Sequence, residues 1–354
     1  MIAFFTAYSM SRMSYLPATI EIALANKYRP ATIKVINGSI KRVIKGLHGL
    51  SGRVVAPPYD KRLLVNYDKV HEFLEGLNKD AVKRTIAHNV LVVLQNEDDV
   101  APDILSKYEN LHKHYSGVYK QAYTWQEASP DKFISLENIA GLMDTLGKNA
   151  KNYNDILKYV VLSLYVYMPA LRGEDYFKLM KRDSRGDGNG DEMPNYIDLD
   201  NGIIIFRLYK TSKTHGARQL TMPDELREVV RIWFGVNKTE YFLAKEDGRP
   251  LAANEFTMLL NRALGSKISS SDLRKIYIAE ILDFLRKYSG LAPPDVSQWR
   301  KKLAHAMAHT VEMQEFVYSG YRDVGGLVHS SPEFMRKVFD RLRMTLDQSG
   351  ISVS

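Results

Sequence analysis

The sequence predicts a mainly α-helical protein with a small antiparallel β-sheet, an α+β architecture in two domains. Three observations carry this. Apolar residues recur at helical spacing in long stretches on both sides of residue 130. One region, residues 196–222, reads instead as three short strands separated by turns. The 354 residues exceed the roughly 100–200 of one domain, and EASPDK (127–132) has the composition of an interdomain linker. The expected boundaries are 1–127 for a helical N-terminal domain and 132–354 for the second.

In chain order, MIAFFTAYSM lacks a basic n-region and a small-residue cleavage site, so it reads as an ordinary N-terminus. ATIKVINGSIKRVIKGL (31–47) carries Ile33, Val35, Ile36, Ile40, Val43, Ile44 and Leu47, close to a helical stripe with basic residues between them. Pro57 and Pro58 break any helix in SGRVVAPPYD. Helices are expected at YDKVHEFLEGL, at DAVKRTIAHNVLVVLQ and over 103–123. In the second domain, ISLENIAGLMDTLG is amphipathic and DILKYVVLSLYVYM (155–168) is apolar almost all round, a buried helix ended by Pro169. Leu171-Arg172-Gly173-Glu174-Asp175-Tyr176 opens the next helix, and DSRGDGNGDE is a loop. YIDL, IIIFRLYK and ARQLTM form the meander, with an Asn201-Gly202 turn. Helices return at DELREVVRIWF, NEFTMLLNRAL, SSSDLRKIYIAEILDFLRKY, SQWRKKLAHAMAH and VEMQEFVYSGY. A last one, 332–346, starts at Ser331-Pro332-Glu333 and bears Phe334, Val338, Leu342 and Leu346. That stripe suits either docking onto a neighbouring subunit or packing on its own core.

Composition narrows the chemistry. There is no cysteine, which excludes disulfides, thiolate catalysis and cysteine-ligated zinc. No apolar run is long enough to span a bilayer. Of 49 basic and 41 acidic residues, the first 66 positions hold ten and two, so the remainder is balanced at 39 of each. The whole net charge of +8 therefore sits in the N-terminal region, as a nucleic-acid contact surface would place it, although a solvated lysine-rich face has the same composition. Its candidate contacts are Lys34, Lys41, Arg42 and Lys45.

Two arginines, a histidine and a tyrosine carry the functional reading. Arginine binds two phosphate oxygens at once and stays protonated. Histidine can hydrogen-bond a phosphate, and a phenol can attack it if cations offset its pKa near 10. Arg172 follows a helix-ending proline and Arg274 follows the serines 269–271, so both are expected in the first turn of a helix, where free N–H groups also favour an anion. Either one alone would more often be a surface salt-bridge residue. His309 and Tyr318 are nine apart and would face opposite ways on one straight helix. The chain is therefore expected to turn just after His309, with Thr310 capping a new helix. With 21 tyrosines in the chain, Tyr318 means little by itself, and Tyr321 competes with it. Lys210 and Lys213, in YKTSKTHG, are candidate acids on a hairpin tip. Two decoys fail. DGNGD resembles a calcium loop but has Glu192 where glycine is needed, and His305/His309 lack the glutamate and third ligand of a zinc site.

The ordered set Arg172 (ALRGEDY), lysine hairpin (YKTSKTHGARQLTMP), Arg274 (SSDLRKIY), His309 (MAHT) and Tyr318 (EFVY) resembles the catalytic domain of the tyrosine recombinases, or phage-integrase family, over about residues 132–345. Arg172 to Tyr176, in R-x-x-D-Y form, looks like the branch of large eukaryotic DNA viruses and mobile elements. The resemblance implies a site-specific recombinase or integrase with a helical core-binding DNA clamp before a tyrosine-recombinase-like catalytic domain. Tyr318 would form a 3′-phosphotyrosyl bond, Arg172 and Arg274 would hold the non-bridging oxygens, and His309 would assist. Lys210, followed by threonine, is preferred to Lys213 as the acid, and Asp175 would orient the arginines. No metal, ATP or other cofactor is implied; the partners are double-stranded DNA and three further copies in a tetramer on two duplexes, inside a host cell in cytoplasm or nucleus. One position departs from the pattern: Ser271 stands where the family usually has histidine. The alternatives are a type IB-like topoisomerase and a catalytically inactive DNA-binding relative.

Overall fold

The structure, a computed structural model, describes residues 14–49, 59–125, 134–182, 195–312, 314 and 329–351. The Pro57-Pro58 loop, the EASPDK stretch and the DGNGD loop lie outside them. Two compact units result, residues 1–125 and 126–354.

The first unit is helical: α1 (Ala18–Ala25), α2 (Pro30–Gly49), α3 (Lys61–Val65), α4 (Tyr67–Glu75), α5 (Asp80–Leu94) and α6 (Pro102–Trp125). The short α1 and α3 carry too few turns to announce themselves by periodicity. α5 is buried from Val90 to Leu94 and packs on α2 and α6. On α2, Ile36, Ile40, Val43 and Ile44 point into this core, and buried Asn89 of α5 donates to Ser39 Oγ at 2.8 Å. Lys34, Lys41, Arg42 and Lys45 are all exposed on the other side of α2. At about 100° per residue, Lys34, Lys41 and Lys45 share one ridge and Arg42 flanks it. Lys41 Nζ lies 5.5 Å from the Tyr15 ring centroid.

The second unit holds α7 (Leu136–Asn149), α8 (Tyr153–Tyr167), α9 (Gly173–Phe177), β1 (Met180–Lys181), β2 (Asn195–Asp198), β3 (Ile203–Phe206), α10 (Ser212–His215), β4 (Arg218–Thr221), α11 (Asp224–Val236), α12 (Ala253–Leu264), α13 (Ser270–Lys287), α14 (Pro293–Ala306) and α15 (Pro332–Gln348). Side-chain caps set several starts: Ser135 for α7, Asn152 for α8, Ser331 for α15. α8, buried from Val160 to Val166, is the central helix, covered by α7, α11, α12 and α15.

The sheet order is β1-β2-β3-β4. The antiparallel meander is β2-β3-β4, with Asp198 opposite Ile203 and Ile203 opposite Thr221. The sheet is mixed, because β1 pairs with β2 in parallel. Two residues hold no alternation, so nothing in the sequence marks β1 as a strand. A second difference lies between β3 and β4, where the short helix α10 replaces a plain turn.

α15 packs on its own unit. Met335, Val338, Phe339, Leu342 and Leu346 are buried against α13, α8 and β4, and Phe339 meets Trp299 edge-on at 5.0 Å. Leu342→Ala is therefore expected to lower the stability of the dilute protein by about 2–5 kcal/mol, as a core leucine does. Urea denaturation at two protein concentrations reads it; an unchanged midpoint would mean that this stripe covers nothing within its own chain.

Candidate active site

Arg172 is placed by a tight exit from α8. Pro169 follows the helix, and Tyr176 closes the turn: its hydroxyl donates to the Pro169 carbonyl (3.3 Å) and accepts from the Leu171 N–H (3.2 Å). Asp175 accepts from the Arg172 N–H at 3.3 Å, and its own N–H donates to the Arg172 carbonyl at 2.9 Å. Arg172 is thus the N-cap of α9, one position ahead of the expected first turn. A Cβ on Gly173 would sit 2.8 Å from the Phe256 ring and 3.2 Å from Ser270 Oγ, so only glycine lets this turn approach α12 and α13.

Arg274 is positioned by a reciprocal cap. Ser269 Oγ accepts from the Asp272 N–H (3.2 Å), while the Asp272 carboxylate accepts from the Ser269 N–H (2.9 Å). Arg274 is the fifth residue of α13, deeper than the expected first turn, and is 5% exposed. Its Nη2 donates to the Met307 carbonyl (3.2 Å) and lies 3.1 Å from His309 Nδ1. Its buried Nη1 has no hydrogen-bond partner among the described residues.

His309 is delivered by the end of α14. Ala308 adopts φ +50°, and the His309 N–H reaches back to the Ala304 carbonyl at 3.1 Å. This is a Schellman-type ending with alanine where glycine is usual. The turn therefore comes just before the histidine, not just after it. The next helical turn opens at Val311, with the Gln314 N–H donating to the Thr310 carbonyl at 3.1 Å. His305 stays exposed while His309 is buried, so the two do not converge on an ion. Among the described residues no group of three ligands could hold a metal.

Three successive carbonyls at this helix end each meet a different arginine. Ala306 accepts from Arg218 Nη1 (2.5 Å), Met307 from Arg274 Nη2 (3.2 Å), and Ala308 from Arg172 Nη2 (3.4 Å). Thr211 also donates to Ala308, at 3.1 Å. Arg218 is missing from the sequence-derived set. It is 6% exposed, lies 4.3 Å from the Tyr209 ring centroid and 5.0 Å from that of Phe206, and forms an ion pair with fully buried Asp175 at 3.7 Å. The signal was strand parity: Arg218 shares the inward face of β4 with Leu220.

The structure thus brings Arg172, Arg274, His309 and Asp175 together. Lys210 is exposed in the turn after β3, four residues past the strand's end, and adjoins Thr211. Lys213 lies on α10. Ser271 is exposed at the start of α13. Tyr318 and its competitor Tyr321 lie outside the described residues.

The electrostatics follow from burial among cations. Burial, then the Arg274 charge, pushes the His309 imidazole down to about 3. A guanidinium only donates, so where Arg274 Nη2 bonds the ring, Nδ1 accepts and the proton of the neutral imidazole sits on Nε2. Burial raises the Asp175 carboxyl against the opposing pull of Arg218, Arg172 and Arg274. Burial also lowers Arg218.

Two expectations follow. Ala308→Gly removes the left-handed strain at the cost of a floppier unfolded chain, for a net gain of roughly 0.5–1 kcal/mol in a urea unfolding experiment. A loss of stability would show that the alanine methyl packs usefully there. The second concerns acid. Because the folded-state value of His309 lies below the ordinary 6.5, the unfolded chain binds a proton first, so stability falls as pH drops from 6.5 toward 3. His309→Asn is expected to flatten that decline between pH 6.5 and 4; an equally steep decline would place the acid sensitivity elsewhere.

No protein-family model and no curated protein sequence matches the chain. Among solved structures, the Tn1549 transposon integrase in complex with transposon right end DNA superposes with a TM-score of 0.50 at 12% identity, over 91% of this chain and 96% of that one. A lambda integrase dimer bound to a COC′ core site gives 0.46 at 13% identity, over 90% of this chain and 78% of that one. At such identity the likeness to the first is one of architecture, and the fold that this chain carries is that of the tyrosine-recombinase integrases.

Proposed function

We propose that this protein is a DNA recombinase or integrase that cuts and rejoins strands through a 3′-phosphotyrosyl intermediate at Tyr318. The observation that carries the reading is the convergence of Arg172, Arg274 and neutral His309 on the end of α14, with Arg274 Nη1 buried and open to an acceptor. Two guanidinium groups and an Nε2–H donor suit a phosphate whose non-bridging oxygens gain charge in the transition state. The integrase architecture and its DNA-bound neighbour support the same reading.

In this mechanism Arg172 and Arg274 grip the scissile phosphate and His309 Nε2 donates to one of its oxygens. The Tyr318 oxygen attacks phosphorus as its phenolic proton passes to solvent water, the P–O5′ bond breaks, and the 5′ oxygen leaves with a proton from Lys210. Lys213 is the second candidate for that proton. Rejoining reverses these steps with a 5′ hydroxyl from another strand, so the phosphodiester energy is conserved without ATP. Residues 1–127 would clamp duplex DNA, with Lys34, Lys41, Arg42 and Lys45 of α2 releasing counterions from phosphates. Four copies would hold two duplexes, and a mobile or viral element is the natural source of the substrate.

Ser271 supports a second reading, an inactive DNA-binding relative, because serine at the start of α13 cannot act as an imidazolium. The full-length protein should be incubated with nicked suicide duplexes of randomised sequence, and covalent adducts sequenced. A wild-type adduct that Tyr318→Phe reduces at least a thousandfold is expected. No wild-type adduct from the whole pool would sink the enzymatic reading in favour of the inactive relative. Relaxation of supercoiled plasmid with no joint products between two duplexes would favour a topoisomerase.

A further inference from the structure

We infer that Arg218 is a positioning residue that draws the Asp175 carboxylate away from the phosphate-binding arginines and so keeps the anion site open. The inference rests on the reading of Arg172 and Arg274 as phosphate ligands, and adds a member with a different task.

The case starts from an electrostatic conflict. Asp175 is wholly buried, and three arginines on three different elements feel its charge: Arg218 most strongly, then Arg172 and Arg274. A carboxylate among guanidinium groups is a rival of the phosphate, since both offer two oxygens to the same planar fork. If Asp175 paired with Arg172 or Arg274, it would neutralise the charge that the substrate needs. In the structure its ion-pair partner is Arg218, at 3.7 Å, on β4. Arg218 is fixed in turn. Its Nη1 donates to the Ala306 carbonyl at 2.5 Å, and the rings of Phe206 and Tyr209 pack against it. It is too buried to reach a bulk counterion, so Asp175 and Arg218 need each other. Their charges offset each other, so the Asp175 carboxylate does not compete with an anion for Arg172 or Arg274.

This division of labour predicts a suppressor. Without Arg218, Asp175 turns to the remaining guanidinium groups, and removal of the carboxylate charge should undo the damage. Three full-length variants serve: Arg218→Met, Arg218→Lys, and Arg218→Met combined with Asp175→Asn. The first probe is inorganic phosphate, followed through the His309 imidazole signals by NMR, which needs no knowledge of the DNA target. The second is the adduct yield on the nicked suicide pool. Arg218→Met is expected to weaken phosphate binding at least tenfold and the adduct at least a hundredfold. Arg218→Lys should stay within about tenfold of wild type in both. The double variant should regain at least tenfold over Arg218→Met in both, although it has lost one more buried polar contact. A double variant no better than Arg218→Met would overturn the inference, as would a fully active Arg218→Met. If Arg218→Met fails to fold, the comparison of Arg218→Lys with wild type decides: retained phosphate binding supports the inference and its loss refutes it. A wild type that binds phosphate at this site but forms no adduct would sink the recombinase reading and leave this one standing.

Discussion

The end of one helix organises this site. α14 stops at Ala306, and its last carbonyls lack partners within the helix, as at any helix C-terminus. That end also carries the negative pole of the helix dipole. Here Arg218, Arg274 and Arg172, from β4, α13 and the N-cap of α9, supply the missing donors to three consecutive carbonyls. Each contact satisfies a backbone acceptor and at the same time fixes a guanidinium. His309, three residues beyond the helix, is carried into the same space by the left-handed Ala308. Had the helix run on one more turn, its carbonyls would have been consumed internally and the arginines would have had nothing to converge on.

The arrangement also sets the state of the histidine. Arg274 donates to Nδ1, so a proton on that nitrogen would face a cation at 3.1 Å. Burial and the arginine charges both oppose protonation, which is why the imidazole stays neutral far below neutrality. On the proposed function, a neutral ring with a fixed Nε2–H gives a hydrogen bond to phosphate and does not accept the phenolic proton while Arg274 holds it. An anion between Arg172 and Arg274 would offset part of the repulsion and raise the imidazole, so occupancy of the site and the protonation of His309 are coupled.

Much of the architecture was legible because it rests on burial with a regular period. α2, α5, α8 and α13 each show in sequence the stripe or the all-round apolar surface that they bury, and the β2-β3-β4 meander follows from its turns. What escaped was short or depended on tertiary contact. α1 and α3 span few turns, and β1 is two residues that become a strand only beside β2. The exit from α14 was expected three residues late, because no local pattern marks alanine for a left-handed conformation; the carbonyl contacts of Arg172 and Thr211 hold it there.

The site residues divide along the same line. Arg172, Arg274 and His309 were singled out because their residue types suit phosphate chemistry in a particular order, Asp175 was added by the family resemblance, and the four lie together in the fold. Arg218 was passed over because an arginine on a strand looks like a solvated residue unless its parity with Leu220 is counted. Its burial shows why parity matters more than residue type in that place. An inward arginine is a large desolvation burden that a sequence keeps only with a compensating partner. Asp175 is that partner, and the pair spans β4 and α9, the elements on either side of the lysine-bearing turn and the first arginine. A buried ion pair of this kind adds little net stability, so its value lies in geometry: it ties the hairpin side of the site to the arginine side.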